Sequence, residues 1–152
     1  MIIQTGMRTD IPAFYSEWLC NRIKEGYVLV RNPYNENQVT RYRLSPDVVD
    51  LIAFCTKNPA PMLSHMDFLK PYGQYWFVTI TPYGRDIEPN VPDKERVIES
   101  FQKLSDHVGV NCVGWRYDPK SPFLIGGSMP GDVVHEAKQE SWIDRQLRLE
   151  LW

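Results

Sequence analysis

Val48-Val49-Asp50-Leu51-Ile52-Ala53-Phe54-Cys55, followed at once by Thr56-Lys57-Asn58-Pro59, is the stretch on which the fold turns. The apolar run is almost continuous, which predicts a strand buried on both faces, as in a parallel sheet. The polar residues and proline after it mark an abrupt exit. Proline donates nothing to a sheet ladder and holds the residue before it extended.

Working outward, Ser45-Pro46 leaves room for one turn, and residues 38–44 alternate as an exposed strand would, with a turn signal at Asn35-Glu36-Asn37. Further upstream, Ile11, Phe14, Tyr15, Trp18, Leu19 and Ile23 recur at three- and four-residue spacing. That spacing predicts an amphipathic helix over 11–25, capped by Asp10 and ended by Gly26, with a short strand over 27–31 after it. Downstream, a short helix over 61–70 precedes a strand over 75–80, closed by Thr81-Pro82-Tyr83-Gly84. A long helix then opens at Pro92-Asp93, with Val97, Ile98, Phe101, Leu104 and Val108 on one face. Gly109 ends it, and a last strand over 110–117 runs into Asp118-Pro119.

Helices alternating with strands imply an α/β fold with parallel strands joined by crossovers. The expected architecture is a partial (β/α) barrel of about four to five mostly parallel strands with an inserted hairpin. The alternative is an open doubly wound sheet. Both bind ligands beyond the carboxyl ends of their strands.

The totals set outer bounds. A chain of 152 residues suits one domain and is 43% hydrophobic and 24% charged, as a globular protein is. A net charge of -2 argues against a nucleic-acid coat or an anionic-membrane binder. The start at Met1-Ile2-Ile3-Gln4 turns polar too soon for a signal peptide, and no run reaches the ~20 apolar residues of a membrane span. Cys20, Cys55 and Cys112 are odd in number and far apart, so neither a disulfide framework nor a zinc site is expected. A reducing, cytoplasmic setting follows.

Asn32-Pro33, Asn58-Pro59, Thr81-Pro82 and Asp118-Pro119 all stand at expected strand exits, where the prolines alone read as punctuation. Arg8, Arg31, Lys57 and Arg116 lie at or near such exits, accompanied by Asp10, Asn32, Asn58 and Asp118, and Arg31-Asn32-Pro33 echoes Lys57-Asn58-Pro59. Cationic groups converging on a strand-end crevice would hold phosphate, carboxylate or a similar small anion. Helix capping already explains Asp10.

Arg8 to Tyr15, Val30 to Pro33, Thr56 to Met62, Gly84 to Lys94 and Trp115 to Pro119 together resemble the family catalogued as domain of unknown function eighteen-forty-eight. The resemblance covers residues 1–119, with Met7 standing where a second basic residue is usual. Full-length members look like radical-SAM-type (β/α) barrels similar to spore photoproduct lyase. For them the resemblance implies an iron–sulfur centre on C-terminal cysteines, with S-adenosylmethionine as a candidate co-substrate.

Residues 120–152 depart from that pattern and carry no cysteine. They read as a Gly/Pro-rich loop and a helix from Asp132 onward. The implied chain is therefore the N-terminal part of such a barrel, truncated and inactive alone, with no cofactor of its own. Its expected partner is an anionic small molecule or the missing C-terminal half, without membrane or nucleic acid.

Overall fold

The structure, a computed structural model, describes residues 1–117. In chain order the elements are β1 (Ile2–Gln4), α1 (Ile11–Phe14), α2 (Ser16–Glu25), β2 (Tyr27–Asn32), β3 (Asn35–Arg43) and β4 (Leu51–Thr56). Then follow α3 (Ala60–Leu63), α4 (Met66–Leu69), β5 (Gly73–Thr79), α5 (Lys94–Val108), a 3-10 turn at Val110–Cys112 and β6 (Val113–Arg116). The exit expected at Asp118-Pro119 and the helix expected from Asp132 lie outside the described residues.

Strands β1, β4, β5 and β6 form one parallel sheet in that order. The order follows the chain without reversal, as strands of a (β/α) barrel do, whereas a doubly wound sheet reverses at a switch point. The sheet is open, and no closed barrel forms among the described residues.

Register places Ile3, Ile52, Phe54, Trp76, Val78 and Val113 on one face. Onto that face the helices deliver Leu19, Cys20, Met62, Met66, Leu69, Val97 and Leu104. Phe54 and Trp76 are fully buried and stack with ring centroids 3.9 Å apart. Truncating Trp76 to alanine would cost roughly 3–5 kcal/mol. The opposite face carries Gln4, Ala53, Cys55, Tyr75, Phe77 and Gly114, none of which joins the core cluster. Among the described residues helices cover one face only, which is again barrel-like, since a doubly wound sheet is covered on both.

Several expectations are corrected here. Residues 2–4 form a strand that no periodicity announced, because three residues are too few to show a pattern. It exists through pairing with β4, in the register Ile2↔Leu51 to Gln4↔Ala53. The strand after α2 is not in the parallel sheet. It pairs antiparallel with β3 from Tyr27↔Arg43 onward, so the hairpin includes both strands, and Arg31 and Asn32 stand at its turn rather than at a parallel-strand exit.

The helix expected over 11–25 breaks at Tyr15, and Phe14, Tyr15 and Trp18 are exposed rather than inward. Leu19 is buried as expected, Ile11 and Ile23 pack partly buried against the core, and Pro12, Ser16 and Cys20 are buried with them. Gly26 does end α2: its φ of 75° is open to glycine, and its N–H donates to the Ile23 carbonyl at 3.0 Å. The helix over 61–70 is two single turns, and Ile98 of α5 is exposed.

Candidate functional site

The chain leaving β1 crosses the end of the sheet at close quarters. The Thr5 N–H donates to the Ala53 carbonyl at 2.9 Å. A Cβ at Gly6 would lie 2.6 Å from the Cys55 Cβ, so only glycine lets the backbone pass there. Four residues on, Asp10 uses both carboxylate oxygens. Oδ1 accepts from the Ala13 N–H at 3.0 Å, capping α1, and Oδ2 accepts from the Lys57 N–H at 2.8 Å. Asp10 therefore ties the exit of β1 to the exit of β4.

From β4 the Lys57 side chain reaches into the long connection between β5 and α5, where its Nζ donates to Glu88 Oε1. The other carboxylate oxygen of Glu88 accepts from Thr81 Oγ1 at 2.7 Å and from Lys94 Nζ at 2.9 Å. Thr81 lies just beyond β5 and is 4% exposed, and Lys94 is the first residue of α5. The Glu88 side chain is only 10% exposed. Burial alone would raise its pKa, but hydrogen bonds from Lys57, Lys94 and Thr81 outweigh it and hold the carboxyl well below the usual range.

Beside this cluster opens a cleft of about 300 Å³ lined by Tyr83, Arg85, Glu88, Val91 and Lys94 among others. That volume is at the lower end for a small-molecule pocket. The Tyr83 hydroxyl is buried and has no hydrogen-bond partner among the described residues.

The residues expected at the site are thus divided. Asp10 and Lys57 meet at the strand ends. Arg8 and Arg31 meet elsewhere, at the hairpin turn, where Arg8 Nη2 donates to the Arg31 carbonyl at 2.9 Å. Arg116 ends β6 on the uncovered face in register with Thr79, and its charge acts on Cys55.

Asn32 and Asn58 have structural work that explains their echo. Asn32 Oδ1 accepts from the Tyr34 N–H at 2.9 Å, and Asn58 Oδ1 accepts from the Ala60 N–H at 3.2 Å. Each is an asparagine turn spanning the proline after it. Asp118 lies outside the described residues. Glu88, Thr81 and Lys94 were not among the expected residues; the signal available was a lone glutamate inside a proline-rich connection that opens on an X-Pro step.

The cysteines do not fit an iron–sulfur centre. Cys20 is packed in the helix-side core and Cys55 lies on the opposite face, so the sheet separates them. Burial raises both thiols, countered only in part by Lys24 at Cys20 and by Gln4 and Arg116 at Cys55, which disfavours the thiolate that metals require. Cys112 stands apart in the 3-10 turn before β6. No group of three or more metal-ligating side chains occurs among the described residues, and no helix among them is long and apolar enough to cross a membrane.

A family model described as Domain of unknown function (DUF1848) matches residues 2–130, running past Pro119, where the resemblance seen in the sequence stops. No curated protein and no solved structure matches the chain.

Proposed function

We propose, for a chain that belongs to the family described as Domain of unknown function (DUF1848), that the carboxyl ends of its parallel strands form one wall of a binding site for an anionic small molecule. One observation carries this: β1, β4 and β5 deliver Asp10, Lys57 and Thr81 to a single place, joined there by Glu88 and Lys94. A parallel sheet wound in sequential order places its ligands at that end, because the loops there diverge and leave a crevice. Lys57 and Lys94 supply the positive charge. Their side chains are 42% and 28% exposed, so an anion from solvent can reach both.

A thermal-shift titration with inorganic phosphate, nucleotides and S-adenosylmethionine tests the proposal. Stabilisation by at least one anion, reduced in Lys57→Met, is the expected result. No shift with any of them would sink it.

A second reading concerns chemistry. The uncovered face with Cys55, Tyr75 and Phe77 favours a larger barrel in which further strands, carried by a partner chain or by longer relatives, cover it. On that reading catalysis needs those strands, and any radical-SAM-type iron–sulfur centre belongs to them. Co-expression with a separately encoded, cysteine-bearing half-barrel would give a stable complex; independent migration of the two chains on a sizing column would count against it.

A further inference from the structure

Lys57, Thr81 and Lys94 come from three different elements, and each directs a donor at the same carboxylate. Two ammonium groups and a hydroxyl around one carboxylate form a receptor for an oxyanion. The carboxylate they hold belongs to the connection between β5 and α5, not to the scaffold. Gly84, Arg85, Asp86, Ile87, Pro89 and Asn90 around it are all exposed, while Glu88 turns inward. Within the connection, Glu88 N–H and Ile87 N–H bond only to the Gly84 carbonyl, at 2.9 and 3.2 Å, so those bonds would move with the loop. The loop is held at Glu88, at Val91 against the core and by the exposed Arg85–Asp93 ion pair at 3.1 Å, and a mostly exposed segment with so few buried contacts is the kind that opens locally.

We propose that Lys57, Thr81 and Lys94 are a binding site for a small oxyanion, a carboxylate or a phosphate, and that Glu88 is its internal occupant, displaced when the ligand enters from the adjoining cleft. The proposal rests on the anion-binding reading above and adds the residues and the gate. Three observations support it. The cleft of about 300 Å³ abuts Glu88 and Lys94, so an incoming anion has a route to the lysines. Tyr83 also lines that cleft, and its buried hydroxyl has no hydrogen-bond partner among the described residues. Finally, α5 is 15 residues long, begins at Lys94 and receives no side-chain cap from Asp93, so the positive end of its dipole adds to the same region. Exchange is feasible because ligand and Glu88 satisfy the same three donors in turn, leaving no buried charge unpaired at either end.

The sign of one measurement separates a gate from a simple site. Trypsin cuts after Arg85, in the loop that Glu88 anchors. Inorganic phosphate, in one arm, and malonate, in the other, are titrated into the full chain while cleavage at Arg85 and the melting temperature are followed. If Glu88 is displaced, the better of the two anions raises the melting temperature yet speeds cleavage at Arg85.

Glu88→Gln should bind that anion about tenfold tighter and be cleaved faster without it, while Lys94→Met should bind about tenfold more weakly than the unaltered chain. Stabilisation accompanied by slower cleavage, or an affinity unchanged in Glu88→Gln, would overturn the gate and leave the anion site standing. If neither anion binds the unaltered chain or Glu88→Gln, this site and its gate fall, and the broader anion-binding reading falls only if nucleotides and S-adenosylmethionine also give no thermal shift. Should Glu88→Gln fail to fold, the cleavage sign in the unaltered chain and the Lys94→Met affinity decide.

Discussion

At Glu88 the balance of forces can be read from pH. Burial pushes the carboxyl up, but three donors bring it from an ordinary 4.5 down to about 2. A depressed folded-state pKa contributes stability that is fully present above the unfolded value and is lost as pH falls through the folded one. The window is therefore from about 4.5 down to about 2. Urea denaturation of the unaltered chain and of Glu88→Gln at several pH values checks this: the stability gap should be widest near neutrality, narrow below about 4.5 and close as the pH reaches about 2. A gap that stays constant over that range would contradict the assignment.

Lys57 and Asp10 were legible because each stands beside a proline or a helix start. Glu88 was not, because it lies 31 residues from Lys57 in the chain and only folding makes them neighbours. The Arg31-Asn32-Pro33 echo misled for a local reason: asparagine before proline makes the same turn wherever the chain needs one.

Between elements, one tight constraint is where the chain leaves β1. Gly6→Ala places a methyl 2.6 Å from the Cys55 Cβ, with no flexible atom to yield. Thermal or urea unfolding should show a loss of about 1–3 kcal/mol, as for an overpacked core. Asp10→Ala removes both the α1 cap and the tie to β4, and the same measurement should register about 1–2 kcal/mol. A Lys57→Met change, which keeps the backbone N–H, should leave the Asp10 contribution intact.

Element type was largely readable: alternation gave the parallel strands β4, β5 and β6, and the 3.6-residue period gave α2 and α5. The face was harder. Phe14, Tyr15 and Trp18 fit the period of a buried stripe but point to solvent, because the helix breaks at Tyr15 and the sheet offers room only for the Leu19 and Cys20 side.

Taken whole, the described residues comprise a one-sided parallel sheet and a separate two-stranded hairpin. Isolated hairpins are marginal, whereas strands in a packed sheet open only with the core. Hydrogen exchange should accordingly show β4 and β5 slowest and β2 and β3 fastest; equal protection of hairpin and sheet would mean that the hairpin is part of the core. Anaerobic reconstitution with iron and sulfide should leave this chain colourless, since the sheet stands between Cys20 and Cys55, and a stoichiometric brown chromophore would contradict that separation. By itself the sequence determined the class of the fold and the end of the sheet where polar groups gather. Both follow from local rules: apolar runs make strands, and prolines stop them. Only the tertiary structure decided that β1 completes the sheet, that the strand after α2 belongs to the hairpin, and that Glu88 sits between two lysines. Pairing and ion contacts join residues far apart in the chain, and no local pattern records which of them will meet.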